Sequence, residues 1–251
     1  MSEISPPSYA RVAGQLYLIP MLVAPFSMMY VPSRIVVAGD AAATTANLLA
    51  SEALYRLGVA SDAGVMLAEL ALTAVLYFLL KPAGRGLALT ATFARLGMTV
   101  LQAANLLPAV AALELAHTNG PFDAAQSQAL ALFSLRLHEH GVLVWQILFG
   151  FHCALIGVLV FRSGFFPRFM GVLLGIAAFG YTLNGFGDLL APAHAATFAA
   201  IVGLTAVAGE VPFVFWLLIK GVDEPRWRAA QAGRPVAPGQ GFGASPHGWG
   251  R

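Results

Sequence analysis

The sequence predicts an all-α membrane protein, a polytopic bundle of six transmembrane helices with one or two short outer interfacial helices. Three observations support this prediction: 58% of the 251 residues are hydrophobic, only 10% are charged, and six apolar stretches are long enough to cross a bilayer. Soluble domains carry about 25% charged residues, so a soluble fold of this size would lack a polar shell. A helical bundle in lipid needs no such shell, because each helix satisfies its own backbone hydrogen bonds.

A transmembrane helix needs about 20 consecutive, mostly apolar residues. The sequence meets this requirement at residues 13–31, 61–80, 87–115, 139–161, 168–190 and 197–219. Proline and glycine inside these stretches do not argue against helices, because membrane helices tolerate both. The first stretch is preceded by a weak basic region at Arg11, and no clear small-residue signal-peptidase site follows it. We therefore expect that it is not cleaved as a signal peptide and that it forms a membrane span.

Basic residues lie mostly on one side of the predicted spans. That side carries Arg11, Lys81, Arg85, Arg162, Arg168, Lys220, Arg226, Arg228 and Arg234. On the opposite side Arg34 and Arg56 interrupt the pattern, and the loop after the third span has no basic residue until Arg136. Because loops rich in Lys and Arg stay in the cytoplasm, the pattern predicts that both termini are cytoplasmic.

Two connecting segments on the outer side are predicted to be short helices. Residues 41–57 follow Asp40, a plausible N-cap. Residues 122–138 begin with the cap-like Asp123 and are amphipathic, which predicts an interfacial helix before the fourth span. These two helices can be interpreted as connectors that shield the bundle or as a lid over a cavity that opens to the outside. The pattern favours connectors.

Composition divides the chain into a membrane domain of residues 1–222 and a tail of residues 223–251. The tail is rich in glycine, proline and arginine, so it cannot bury a core of its own. It is therefore predicted to be disordered and cytoplasmic.

Composition also limits the possible partners. Cys153 is the only cysteine, so no disulfide framework links parts of the chain. The formal net charge is +2 and no run of Lys and Arg occurs, so no nucleic-acid partner is expected. The expected partners are the lipid bilayer and a small-molecule or lipid ligand, and the oligomeric state does not follow from the sequence.

Three segments carry a resemblance to a known family. They are residues 39–62 (GDAAATTANLLASEALYRLGVASD), 149–184 (FGFHCALIGVLVFRSGFFPRFMGVLLGIAAFGYTLN) and 209–222 (GEVPFVFWLLIKGV). Together they resemble a bacterial integral-membrane family, domain of unknown function 4386 (DUF4386), over roughly residues 9–222. The resemblance implies a six-span protein of the bacterial inner membrane, and it carries over no catalytic residue.

Four ionisable residues lie deep inside four different predicted spans. They are Glu69, Arg95, His152 and Glu210. Each is roughly 9 to 12 residues from the nearest cytoplasmic loop, which at about 1.5 Å per residue places it about 14–18 Å deep. A charged group at that depth is costly and marks a functional site by default. We therefore expect the four side chains to converge.

A second, mostly uncharged polar layer lies nearer the outside. It comprises Gln102, Asn105, Gln146, Tyr181, Asn184 and Asp188. Spacings of seven residues, which return to nearly the same helix face, relate Arg95 to Gln102 and Tyr181 to Asp188. The pattern predicts a cavity that leads inward from the outside, with the charged residues at its floor.

A structural role for the charges is an alternative to a functional one. Arg95 can pair with Glu69 or Glu210 and lock the bundle, because polar side chains hold membrane helices together. Glu69 and Glu210 supply two carboxyl groups, but Arg95 supplies only one positive charge. One acid is therefore in excess, and it is either protonated or balanced by His152. This excess acid keeps the functional interpretation open.

The histidines suggest two weaker hypotheses. His138 and His152 are 14 residues apart on one helix, as in b-type cytochromes, with His117 or His194 as further haem ligands on the outer side. His138 and His140 could instead bind zinc with Asp123 or Glu139, although no HExxH or HxxxH motif is present. Neither hypothesis is favoured, and no cofactor is predicted.

The predicted function is binding or transport of a small or lipid-like molecule through the polar intramembrane cavity. One alternative is an intramembrane enzyme, a hydrolase or a haem or metal redox protein, with His152 and a carboxylate as acid and base. The other is a structural or sensory subunit that contacts a partner through the basic tail or through the glycine-rich face of the fifth span, which begins with Gly171 and Gly175.

Overall fold

A computed structural model describes residues 5–117 and 121–234, and within these ranges the chain is helical and contains no strand. The α-helices are α1 (Pro6–Pro25), α2 (Val31–Ile35), α3 (Ala41–Ala50), α4 (Glu52–Leu80), α5 (Arg85–Ala116), α6 (Ala124–Arg162), α7 (Arg168–Leu190), α8 (Ala195–Ile219) and α9 (Glu224–Gln231). A π-helical turn (Phe26–Tyr30) joins α1 to α2, and 3₁₀ turns (Lys81–Ala83 and Pro192–His194) follow α4 and precede α8.

Six segments are long and apolar enough to cross a membrane. They are Pro6–Ile35, Glu52–Ala83, Arg85–Ala116, Ala124–Arg162, Arg168–Leu190 and Pro192–Ile219. Each coincides with one of the predicted spans. The predicted fold class, an all-α polytopic bundle, is confirmed.

The six long helices form a ring in chain order. Each of α1, α4, α5, α6, α7 and α8 packs against its neighbours in the sequence, and α8 returns to pack against α1. We call the end of the bundle that carries Pro6 and α9 the terminal end, and the opposite end the far end. The ring interior near the terminal end is filled by apolar side chains from all six helices, among them Ala10, Leu72, Ala88, Leu159, Leu174 and Leu217.

At the far end, α3 covers the ends of α4, α5 and α6. Leu48 of α3 packs with Tyr55 of α4 and Leu113 of α5, and Leu135 of α6 packs against the same group. The Asp40 side chain accepts a hydrogen bond from the backbone N–H of Ala43, so it caps α3 as the sequence predicted. The helix ends at Ala50 rather than at residue 57, because α4 begins at Glu52 and takes in the residues between.

The predicted interfacial helix 122–138 is not separate from the fourth span. Helix α6 runs without a break over 39 residues, since no proline interrupts its sequence. At about 1.5 Å per residue it is about 58 Å long, against about 30 Å of hydrocarbon, so its first turns lie outside the hydrocarbon. Asp123 caps the helix, because its side chain accepts from the N–H of Gln126 while the Gln126 side chain accepts from the N–H of Asp123.

Removal of this cap is expected to lower stability modestly. We expect Asp123→Ala to cost about 1 kcal/mol, the usual effect of losing an N-cap side chain. Amide hydrogen exchange should increase at Gln126 and Ser127, whose N–H groups lie in the first turn of α6. The matched control is Ser51→Ala, because the Ser51 side chain makes no capping hydrogen bond at the start of α4. Equal exchange in the two variants would contradict the assigned role of Asp123.

The start of the predicted tail is folded. Asp223 caps α9, and Trp227 is buried in the apolar core of the terminal end, where its indole N–H donates to the Leu79 carbonyl over 2.8 Å. The disorder predicted from residue 223 onward is therefore wrong for α9, because one buried tryptophan anchors this helix to the bundle. Residues 235–251, the remainder of the predicted tail, lie outside the described residues.

The glycines of α7 allow close contact with helices on both of its sides. Gly171 meets the backbone of α6 at Gly157, whereas Gly180 packs against Thr205 of α8. Gly175 is different, since a side chain added there would meet nothing within 4 Å. Contacts within the chain therefore cover much of the glycine-rich surface of α7. Less of this surface is left for a partner than the sequence suggested.

Candidate functional site

Arg95 of α5 lies at the centre of a network that joins four helices. Its side chain is 1% exposed. Its Nη2 is 3.8 Å from Glu69 Oε1 of α4, and its Nη1 is 3.2 Å from His152 Nε2 of α6 and 3.5 Å from the hydroxyl oxygen of Tyr17 of α1. We call Tyr17, Glu69, Arg95, Thr99 and His152 the Arg95 network. One guanidinium therefore holds α1, α4, α5 and α6 together deep in the bundle.

The ion pair between Arg95 and Glu69 is long. The 3.8 Å between Arg95 and Glu69 exceeds the 2.7–2.9 Å of a strong charge-assisted hydrogen bond. The guanidinium carbon also lies 5.2 Å from the centroid of the Tyr17 ring and 5.8 Å from that of Phe149, within the range of cation–π attraction. Within residues 5–117 and 121–234 the Arg95 Nε has no hydrogen-bond partner.

The contacts of His152 fix its protonation. An arginine can only donate, so His152 Nε2 accepts from Arg95 Nη1. The Nδ1–H donates to the Ala91 carbonyl over 2.9 Å, since a carbonyl can only accept. The ring is therefore neutral, and both of its nitrogens are engaged. This arrangement leaves no nitrogen of His152 for an iron atom, which opposes the haem hypothesis.

Glu210 is joined to the network indirectly. It lies on α8, is partly exposed, and accepts a 2.6 Å hydrogen bond from the Tyr181 hydroxyl of α7. The Tyr181 ring lies 4.7 Å, centroid to centroid, from Phe149, whose other neighbours include Arg95. In the described part of the chain Glu210 makes no ion pair. The structure thus brings three of the four predicted ionisable residues into contact and links the fourth through two aromatic rings.

Four of the six predicted cavity-lining residues, Asn105, Gln146, Tyr181 and Asn184, make hydrogen bonds to a neighbouring helix. Asn184 of α7 donates to Gln146 of α6 over 2.6 Å. Asn105 of α5 donates to the His138 carbonyl over 2.8 Å, and the His138 Nδ1–H donates back to the Asn105 carbonyl over 2.7 Å. These pairs connect neighbouring helices, as polar side chains in membrane bundles commonly do. Asp188 is partly exposed and has no hydrogen bond or ion pair to any residue that the structure describes.

Gln102 and Trp145 are exceptions to this pairing. Gln102 is 6% exposed, and both its amide nitrogen and its amide oxygen are buried without a partner among the described residues. The indole nitrogen of Trp145 is in the same situation. The large majority of buried side-chain polar atoms in proteins have a hydrogen-bond partner, so three unsatisfied atoms in one region need an explanation.

The side chains of Gln102 and Trp145 lie at the same depth and face the interior of the bundle. Antiparallel α5 and α6 place Arg95 beside His152 and Asn105 beside His138, so Gln102 falls level with Trp145. Gln102 is two turns from Arg95, and Trp145 is two turns from His152, so both lie on the faces that form the Arg95 network. Their unsatisfied atoms therefore form a polar layer on the far-end side of that network.

No metal site is formed by the predicted zinc ligands. Over residues 5–117 and 121–234, no group of three or more His, Cys, Asp or Glu side chains comes close enough together to hold an ion. His138 is held by Asn105, while His140 is exposed on the surface of α6. The predicted pair does not converge with Asp123, which caps the start of α6 about four turns away, and Glu139 lies between the two histidines on that helix.

A small void borders the network on its terminal side. Its volume is about 10 Å³, room for about one water molecule, and its lining includes Thr73, Leu76, His152 and Ile156. None of the residues predicted to line a cavity takes part in it. The predicted outer cavity is not this void.

Trp145, Phe149 and Tyr17 take part in the site but were not predicted as site residues. Trp145, Phe149 and His152 follow a spacing of four and three residues, which places them on one helix face and could have revealed the aromatic group. Phe149 stacks on Trp145 with ring centroids 4.9 Å apart. Tyr17 gave no such signal, because it lies in a proline-containing span whose facing direction the sequence does not define.

The fold and the site define a multi-pass helical membrane protein with an ionised network at its centre. The family model of Domain of unknown function (DUF4386) matches residues 12–221, and the chain belongs to this family. An uncharacterised protein of Archaeoglobus fulgidus is 41% identical over 75 residues, which are 30% of this chain and 43% of that protein. The match thus spans less than half of that archaeal relative. No solved structure matches the chain significantly.

Proposed function

We propose that this protein binds a small or lipid-like molecule at a polar site inside the bilayer and carries it into or across the membrane. The observation that carries the proposal is the polar layer of Gln102 and Trp145, where one acceptor and two donor groups are buried without partners. The Arg95 network forms the floor of this site, and the aromatic rings of Trp145, Phe149 and Tyr181 form its wall.

The energetic argument concerns the cost of unsatisfied groups. A buried polar group without a partner costs about 1–3 kcal/mol, and several such groups at one level add up to a large penalty. Replacing Gln102 by an apolar residue would remove the penalty, so its presence needs a compensating interaction. A ligand head group that both donates and accepts hydrogen bonds supplies that interaction for Gln102 and Trp145 together.

Binding is supported better than acid–base catalysis or a purely structural role. A catalytic His152 would need a free ring nitrogen, whereas Arg95 and the Ala91 carbonyl engage both. A structural subunit would need no unsatisfied polar atoms, because helix contacts alone would hold the bundle. Glycines of α7 that could have met a partner subunit contact α6 and α8 instead.

We further propose that the protein resides in the bacterial inner membrane with both termini in the cytoplasm. Lys81 and Arg85 lie in the tight α4–α5 connection at the terminal end, and Arg162 and Arg168 lie in the α6–α7 connection at the same end. Loops with this bias remain on the cytoplasmic side. Labelling by a membrane-impermeant thiol reagent tests the orientation in a Cys153→Ser background. A cysteine replacing the exposed Gly86 at the terminal end should stay protected in intact cells, and one replacing the exposed Ser33 should react.

The site itself is tested by replacing Gln102 with leucine. We expect native mass spectrometry of gently extracted wild-type protein to show a retained lipid or small molecule, and we expect at least tenfold lower occupancy in Gln102→Leu. A tenfold change corresponds to about 1.4 kcal/mol, about one hydrogen bond to the amide.

The matched control is Gln15→Leu, which changes the same residue type at an exposed position of α1. Its occupancy should equal that of the wild type. If Gln102→Leu retains the molecule as well as the control does, or if no molecule is retained by any form, the binding proposal is wrong.

A further inference from the structure

The ring of helices opens between α1 and α8 in its far half. The two helices meet near the terminal end, where Gly14 packs against Leu218 and the rings of Tyr17 and Phe213 lie 6.2 Å apart. Beyond Tyr17 no residue of α1 is buried, and before Gly209 only Val202 of α8 is buried, both helices being fully described. The two helices thus bury side chains up to the depth of Tyr17 and Phe213, and beyond it, Val202 apart, their side chains are partly or fully exposed.

Glu210 lies where this opening begins. It follows Gly209, the first buried residue of the packed part of α8, and precedes Phe213 by one turn. Its carboxylate is partly exposed and is bonded through one oxygen to the Tyr181 hydroxyl. A molecule that enters from the bilayer between α1 and α8 would therefore meet a carboxylate first.

When Glu210 is ionised, the charge balance around its carboxylate is negative. Arg95 supplies one positive charge, Glu69 pairs with it, and the neutral His152 adds none. Glu210 is the surplus acid, and within the described ranges no lysine or arginine comes within ion-pair distance of it. An ionised Glu210 at membrane depth needs a counter-charge, which one monovalent cation would supply.

The aromatic wall beside Glu210 suits the same charge. Phe149 and Tyr181 meet edge to face at 4.7 Å between centroids, and Trp145 lies against both. The Phe149 ring lies 5.8 Å from the Arg95 guanidinium carbon, so one of these rings already attracts a cation. Aromatic faces together with a carboxylate recognise substituted ammonium groups.

We propose that the ligand is an amphiphile with a cationic ammonium head, which enters between α1 and α8 and is held by Glu210 beside Tyr181, Phe149 and Trp145. This inference rests on the proposed binding function and concerns the charge of the ligand's head group, whose hydrogen-bonding part meets Gln102 and Trp145. The alkyl part of the ligand remains in the bilayer opening, so the protein needs no fully enclosed cavity for it.

The test uses full-length protein in lipid nanodiscs and radiolabelled dodecyltrimethylammonium below its micellar concentration. Protein-free nanodiscs give the partition background, and unlabelled dodecanol and dodecanoate serve as neutral and anionic competitors of equal chain length. We expect saturable binding of the cation that is at least tenfold weaker in Glu210→Gln. Glu114→Gln, the same substitution at an exposed position of α5, should bind like the wild type.

Two results would overturn the cation assignment. One is equal binding of the ammonium probe to wild type and Glu210→Gln. The other is displacement by dodecanol or dodecanoate as effective as displacement by the unlabelled ammonium, as expected for a protonated Glu210 or for an anion held by Arg95. This second comparison needs only wild-type protein, so it decides the question even if Glu210→Gln does not fold.

The outcome also separates the ligand class from the binding function. If the ammonium probe does not bind but a native molecule is retained and lost in Gln102→Leu, the cation assignment fails and the binding function stands. If no molecule is retained and the probe does not bind, both proposals fail.

Discussion

Arg95→Met is expected to lower the free energy of unfolding by about 3–5 kcal/mol, the largest effect of any single change in the network. The reason is that Glu69 would remain buried with no counter-charge, and removing one partner of a buried ion pair typically costs this much. His152 and Tyr17 would also lose the donor that joins them to α5. Equilibrium unfolding in mixed micelles titrated with a denaturing detergent measures the change.

A double variant separates the charge effect from lost packing. Arg95→Met combined with Glu69→Leu should recover at least half of the loss, because apolar pairs of similar volume often replace buried ion pairs without penalty. The control is Arg56→Met, which removes an exposed ion pair to Glu52 and should cost less than about 1 kcal/mol. If Arg95→Met costs no more than this control, the network does not stabilise the fold.

Gly171→Ala is expected to destabilise the bundle by about 2–3 kcal/mol, the upper part of the range for overpacked cores. The added methyl group would lie 2.6 Å from the Gly157 carbonyl oxygen and 2.7 Å from the backbone nitrogen of Phe161. Because both neighbours are backbone atoms, no side-chain rotation relieves the clash, and α6 and α7 must move apart.

Gly175→Ala is the matched control, one turn further along the same helix. Its added methyl group meets nothing within 4 Å, so its stability should equal or slightly exceed that of the wild type, since alanine favours helix over glycine. The same detergent unfolding experiment compares the two variants. Equal stability of Gly171→Ala and Gly175→Ala would show that the close approach of α6 and α7 is not as the structure has it.

Local sequence signals were sufficient to predict the membrane spans and to identify polar residues of the interior. Apolar length located the spans, and the cap at Asp123 was recognisable because a short acidic side chain before a helix has a local function. Heptad spacing put Gln102 on the face of Arg95 because helix geometry is regular. These inferences need only distances along a single helix.

The pairing of side chains across helices could not be predicted in the same way. Whether Glu210 contacts Arg95 directly or through Tyr181 and Phe149 depends on helix rotation and tilt, which the sequence does not specify. The continuity of α6 was missed because a change from amphipathic to apolar composition was interpreted as a break, although no residue interrupts the backbone. Trp227 shows the reverse error, since the glycine- and proline-rich surroundings concealed one anchoring side chain.

The position of Glu69 and Arg95 on consecutive helices matters during synthesis. Helices α4 and α5 are joined by a tight connection, so they can enter the bilayer as a hairpin in which the acid and the base already face each other. The translocation machinery then handles an electrically neutral pair instead of two separate ions, each of which alone would resist insertion by about 2.5–3.5 kcal/mol. The order of the helices along the chain thus makes a charged centre compatible with biogenesis.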